Sequence, residues 1–129
     1  GFDPRYVTYE SCDLHQRLLS ECPGAFTFCP PAVVLHRHRP DWKSYWRQQV
    51  AYGRGYAQFF LHYRARLPWS AAREVRAWMS LVKQGALAAV ARDGDQGLVH
   101  RGTFVKNLAQ RCGFVRTYWS PTQRRLWRS

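Results

Sequence analysis

Apolar residues recur along most of this chain at intervals of three and four, the period of an α-helix with one face against a core. Leu14, Leu18 and Leu19 share one side of a segment running from Glu10 to Glu21, and Pro23-Gly24 stops it. Segments 25–29 and 33–36 are short, apolar and β-type, and Pro30-Pro31 between them points to an edge or a bend. Asp41 has N-cap chemistry for a long helix running to about 66. Gly53 and Gly55 inside it each weaken the helix by roughly 1 kcal/mol relative to Ala, so a kink or a close backbone approach is expected there. A second helix begins at Pro68, with Ser70 as an alternative cap. Its expected buried stripe is Val75, Trp78, Met79, Val82, Ala86, Ala89 and Val90. Residues 93–97 read as a loop, 103–111 as a third helix, and Pro121 as the start of a last basic turn.

These elements predict an α/β fold that is mostly helical. Near Pro40 the composition shifts from mixed α/β to helical, basic and aromatic. Two modules are therefore expected, 1–39 and 40–129. The chain has 129 residues, 46% of them hydrophobic, which suffices for one core and argues against disorder. Lys and Arg number 20 against 8 acids, a formal charge of +12 that favours an anionic partner. Nucleic acid, acidic lipid headgroups and a phosphorylated substrate all satisfy that charge, but no recognised nucleic-acid motif is present. Cys12, Cys22, Cys29 and Cys112 form no C-x-x-C pair, so reduced cytosolic thiols are the default reading. The longest run of small apolar residues, 85–91, is too short to span a bilayer. The opening Gly1 stands in what reads as mid-domain sequence, so a longer parent chain is expected.

Two groups of residues could carry chemistry. Glu10 and Asp13 lie one helical turn apart at a helix entrance, where the dipole stabilises the ionised form. Such a carboxylate can act as a general base, or simply cap the helix. His36 and His38 share one face of a regular strand and could both meet a metal, or lie on the surface. Drawn together with Cys22 and Cys29 they match no familiar zinc spacing. On the long helix, Arg47, Gln48, Tyr52 and Arg54 offer guanidinium forks and an amide to a diphosphate or an acceptor. The same basic, aromatic chemistry, repeated by Tyr118-Trp119 and Arg124-Arg125, suits an anionic membrane surface. Asp93-Gly94-Asp95 spells D-x-D but reads as turn chemistry.

Several of these segments, taken in order, are similar to the second half of the catalytic domain of bacterial family 2 glycosyltransferases. Gly1-Phe2-Asp3-Pro4-Arg5-Tyr6 resembles the family's "GGFDE-x-F" turn, and Tyr9-Glu10-Ser11-Cys12-Asp13-Leu14 its "x-E-D-x-D-L" segment. Pro31-Ala32-Val33-Val34-Leu35-His36 resembles the closing strand, and Tyr52-Gly53-Arg54-Gly55 part of the helix that follows. The resemblance implies a partial GT-A, Rossmann-like catalytic segment followed by a helical extension. It implies metal-assisted, inverting transfer of a sugar from a nucleotide-sugar donor to a glycan or lipid-linked acceptor. Glu10 or Asp13 would then be the base, His36 and His38 would approach a Mg or Mn ion, and the enzyme would be cytoplasmic or peripheral at the inner membrane face. Ser11 departs from the pattern: it occupies the place where the family usually carries the Asp taken to be the base, and a Ser needs its own activator. The nucleotide-binding half would lie upstream.

Overall fold

Asp41 starts the longest early helix by accepting a hydrogen bond from the Ser44 backbone N–H at 2.8 Å. Ser70 starts the next one, accepting from the Arg73 N–H at 3.4 Å. In the computed structural model, which describes residues 1–24, 27, 29–35, 39–67 and 70–127, five helices follow in order. They are α1 (Glu10–Glu21), α2 (Trp42–His62), α3 (Ala71–Val90), α4 (Asp95–Tyr118) and α5 (Pro121–Leu126). Among the described residues there is no strand.

This all-helical bundle corrects the α/β expectation and, with it, the resemblance to a GT-A catalytic segment, which requires a Rossmann-like sheet. The segment assigned to the closing strand forms a turn instead, with the Ala32 N–H donating to the Cys29 carbonyl at 3.0 Å. Val33, Val34 and Leu35 then run almost fully exposed. The β-branched Val33 and Val34 favour a strand only when a neighbour supplies ladder hydrogen bonds, and none lies beside them among the described residues. Ala25, Phe26, Phe28, His36, Arg37 and His38 lie outside the described residues.

The three long helices form the body. α2 and α4 run parallel, Trp42 reaching Gly102 at one end and Phe60 meeting Tyr118 at the other. α3 returns antiparallel along α4, with Gly85 against Phe104 and Glu74 against Arg111. The α2–α4 seam is close because both sides are small. A Cβ on Gly53 would fall on the Gln110 backbone carbonyl, and one on Gly113 on the Val50 carbonyl. Ala57 and Ala109, both fully buried, continue the seam. Close approach, not a kink, is therefore why Gly53 is tolerated in mid-helix. Gly55 likewise faces Thr8 of the N-terminal segment.

The core is aromatic. Ala57, Phe60 and Phe114 form one buried cluster, and Tyr6, Leu61 and Trp127 another, with Tyr118 packed against both. Phe114 and Tyr118 stack at 5.5 Å and 9°, a geometry worth about 0.5–1.5 kcal/mol beyond burial. The second cluster joins residues from both sides of position 40 in one core. Tyr9, ahead of α1, has φ 72°, and its ring rests between Tyr56 and Phe59 at 5.7 and 6.0 Å.

Candidate binding surface

α1 turns Asp13 inward and leaves Glu10 in the half-exposed first turn. The Asp13 side chain is buried, and three groups surround its carboxylate. Tyr63 donates to Oδ1 at 2.8 Å, Arg17 Nε donates to Oδ2 at 3.0 Å, and His62 Nδ1 stands 3.6 Å from Oδ1. His62 Nδ1 also shares a 2.8 Å hydrogen bond with the Tyr6 hydroxyl. Both carboxylate oxygens are thus engaged by protein, and the network joins α1, α2 and the N-terminal segment. Burial, with the Asp13 charge adding to it, raises the Tyr6 phenol well above its ordinary range. Burial and then the hydrogen bond to Asp13 push Tyr63 up to about 12.

The four long-helix residues divide into two stripes. Arg47 and Arg54, two turns apart, share one side of α2 and are exposed. Gln48 and Tyr52 occupy the neighbouring side, where the Gln48 amide donates to the Tyr52 hydroxyl at 3.2 Å. Arg47 sits near the helix start. The Asp41 carboxyl is held below its ordinary range first by the Ser44 N–H, with the Arg47 charge a lesser contribution. His36 and His38 lie outside the described residues. No group of three or more His, Cys, Asp or Glu able to hold a metal occurs among those described. All four cysteines are free and exposed.

A groove of about 360 Å³ opens between α2 and α3, with α4 as its floor. Its polar groups are matched internally. Asn107 donates to Gln84 at 2.6 Å, Gln110 to Gln49 at 2.8 Å, and Arg111 pairs with Glu74 at 3.1 Å. Little hydrogen-bonding capacity is left for a ligand, so the groove reads as a polar seam between helices.

The most unusual surface is the outer side of α3. All seven residues expected to form its buried stripe are exposed, Val82 at 73% and Met79 at 66% among them. The face that packs on α4 is built instead from Glu74, Ala77, Leu81, Gly85 and Ala88, where small side chains let the helices approach. A Cβ on Gly85 would stand 3.1 Å from the Phe104 ring. Trp78 closes the edge of an apolar hollow of about 490 Å³ shared with Val115, Tyr118 and Trp119, the last 64% exposed. Trp78 thus joins the exposed α3 stripe of Val75, Met79 and Val82 to Val115 and Trp119. Lys83 and Arg76 border it along α3. The single carboxylate of α3, Glu74, also lines that hollow and is paired there with Arg111, whose guanidinium lies 5.3 Å above the Trp78 ring.

Sequence reasoning identified these apolar residues and misassigned their direction. The signal it passed over is that α3 carries a second stripe, Ala77, Leu81, Gly85 and Ala88, three of which are small enough to suit close packing better than Val or Met. Compared with known proteins, the chain matches no family model, no curated protein and no solved structure. With no sheet among the described residues, the GT-A segment on which the nucleotide-sugar and Mg or Mn expectations rested is replaced by a helical bundle. The surface itself has to carry the functional reading. Among the described residues no helix is long and apolar enough to cross a membrane.

Proposed function

We propose that this chain is a peripheral binding module that lays its outer α3–α4 face on an anionic membrane surface. The observation that carries the reading is the apolar face itself: Val75, Trp78, Met79 and Val82, with Val115 and Trp119, stand exposed beside Arg76 and Lys83, and the one carboxylate of α3, Glu74, is paired with Arg111. Scattered apolar residues on a surface are ordinary, but a contiguous stripe along a whole helix marks a docking face. Two half-exposed to exposed tryptophans suit the water–lipid interface, where an apolar ring and a polar N–H are both accommodated. The net charge of +12 supplies attraction to acidic headgroups.

The magnitudes say which contribution dominates. A basic residue near an anionic leaflet contributes about 1 kcal/mol, and burying one Val or Met side chain roughly 1.5–3 kcal/mol. Four such side chains outweigh two bordering cations, so charge attracts the module and apolar burial holds it. Nucleic acid, which offers phosphates and no apolar interior, would use the cations and leave the face bare.

Co-sedimentation with vesicles of phosphatidylcholine and phosphatidylserine tests the reading. Wild type is expected to bind the mixed vesicles and to bind pure phosphatidylcholine more weakly. The double variant Met79→Glu/Val82→Glu is expected to bind at least tenfold more weakly at an unchanged unfolding midpoint. Failure of wild type to bind, or equal binding by the double variant, refutes it. Salt-sensitive binding to DNA or RNA that the double variant keeps would assign the module to nucleic acid instead.

A further inference from the structure

A second groove, of about 270 Å³, opens on the flank of the α2–α4 pair and has no α3 residue in its walls. Val50, Arg54 and Gln58 line it from α2, and Arg116 and Thr117 from α4; Ser120 and Gln123 close the end. We propose that this groove is a binding site for a phosphoryl group, held between the Arg54 and Arg116 guanidiniums with Ser120 and Gln123 as additional donors. The inference stands on residues separate from the apolar α3–α4 face.

Charge is the first observation. Two arginines line one groove whose walls include no Asp or Glu, and neither makes an ion pair among the described residues. The other cations with nearby acids are paired: Arg5 with Asp3, Arg17 with Asp13, Arg101 with Asp93 and Arg111 with Glu74. Like charges sharing a groove repel each other unless an anion sits between them. Guanidinium is the side chain best shaped to engage phosphate oxygens two at a time.

The neutral donors are arranged for the same purpose. Gln58 is buried and fixed by three hydrogen bonds. Its oxygen accepts from the Val7 N–H at 3.0 Å, and its amide donates to the Arg5 carbonyl at 3.3 Å and to Gln123 Oε1 at 3.2 Å. Because Gln123 spends its oxygen on Gln58, its amide N–H groups remain to donate into the groove. The Ser120 hydroxyl, just before α5, makes no hydrogen bond among the described residues, which leaves its O–H available as well. A buried residue thus orients a donor, and every polar group it leaves facing the groove favours an anion. The volume is below the range of roughly 300–1,000 Å³ typical of drug-sized ligands and suits a phosphoryl group with little attached.

The same chemistry is offered by a lipid headgroup or by a free phosphorylated molecule, and two arms separate them. In the first, wild type and Arg54→Gln/Arg116→Gln are titrated with inorganic phosphate and followed by NMR. Saturable shifts are expected around 50–58 and 116–123 in wild type, with at least tenfold weaker binding in the double variant. Both arginines are exposed, so the fold should survive. Gln123→Ala provides a second, milder variant, expected to bind several-fold more weakly. In the second arm, vesicles containing phosphatidic acid are compared with phosphatidylserine vesicles of matched surface charge. A preference for phosphatidic acid that disappears in Arg54→Gln/Arg116→Gln assigns the groove to a headgroup; phosphate saturation without that preference assigns it to a free phosphorylated molecule. Absence of saturable phosphate shifts in wild type, or equal affinity in the double variant, overturns the site. Met79→Glu/Val82→Glu should keep phosphate binding, so loss of the membrane reading leaves this result distinguishable.

Discussion

α4 meets two neighbours in opposite ways. Against α2 it offers Ala109 and Gly113, and the seam is close, with backbone against side-chain-free backbone. Against α3 it meets a face of modest residues, while the larger apolar side chains of α3 point outward. On α3, hydrophobic size is thus not what decides burial. Closeness of approach to α4 decides its inner contacts, and most of its bulk is left for the outside. A helix with two apolar sides can dock once within its own fold and once on something else.

That contrast can be broken most directly at the seam. Gly113→Leu should destabilise the protein by about 3 kcal/mol or more, because neither the Val50 carbonyl nor the facing helix can yield cheaply. Urea unfolding measures it, and a loss under about 1 kcal/mol would mean the helices are not in close contact. Next in size is Asp13→Ala, which strands Tyr63 and Arg17 and should remove about 2–3 kcal/mol by the same measurement. A near-neutral result would separate the N-terminal segment from the bundle's stability.

Alkaline pH gives a smaller, graded effect. An unfolded tyrosine ionises near pH 10, whereas Tyr63 in the fold does so at about 12. Folding therefore disfavours the phenolate. This contribution is intact below pH 10 and is lost as the pH rises toward 12. Tyr6, shifted in the same direction, steepens the loss. Thermal unfolding across pH 8–12 should show the decline, and Tyr63→Phe should make it shallower; a flat profile in wild type would contradict the burial of both rings. The smallest expected change is Val82→Ser, within about 0.5 kcal/mol of wild type, because that side chain is 73% exposed. A loss above 2 kcal/mol would show that the outer face is covered by the protein itself.

Local signals in the chain were accurate where a single side chain decides the outcome. The leucine spacing and flanking Pro23-Gly24 located α1 at its observed ends, Asp41 and Ser70 cap as their chemistry suggests, and Pro121 opens a short basic helix. α4 was legible only in part, as 103–111, although it extends over Asp95–Tyr118. Packed by α2 on one side and α3 on another, it has no single apolar face for periodicity to reveal. Gly97, Gly102 and Gly113 dilute its helical character further. The expected strand does not form at Val33 to Leu35, which have the right residues but no partner among the described residues. Tyr6 shows why the family resemblance misled: inside a string that resembles a catalytic-domain turn, it packs 4.8 Å from Trp127 as part of a helical core. Of the candidate site residues, Asp13 was located correctly at the α1 entrance, but only the fold reveals its burial against Tyr63. Arg116 and Gln123, far from Arg54 in the chain, could not be grouped with it before the parallel α2–α4 pairing was known.

Fluorescence quenching by vesicles carrying brominated acyl chains tests the docking face most directly. Among the described tryptophans, Trp78 and Trp119 are the pair on that face. The account predicts quenching of the bound wild type that is largely abolished in Trp78→Phe/Trp119→Phe, with Trp127 unaffected in the core. Equal quenching in the double variant, or none in bound wild type, would contradict it.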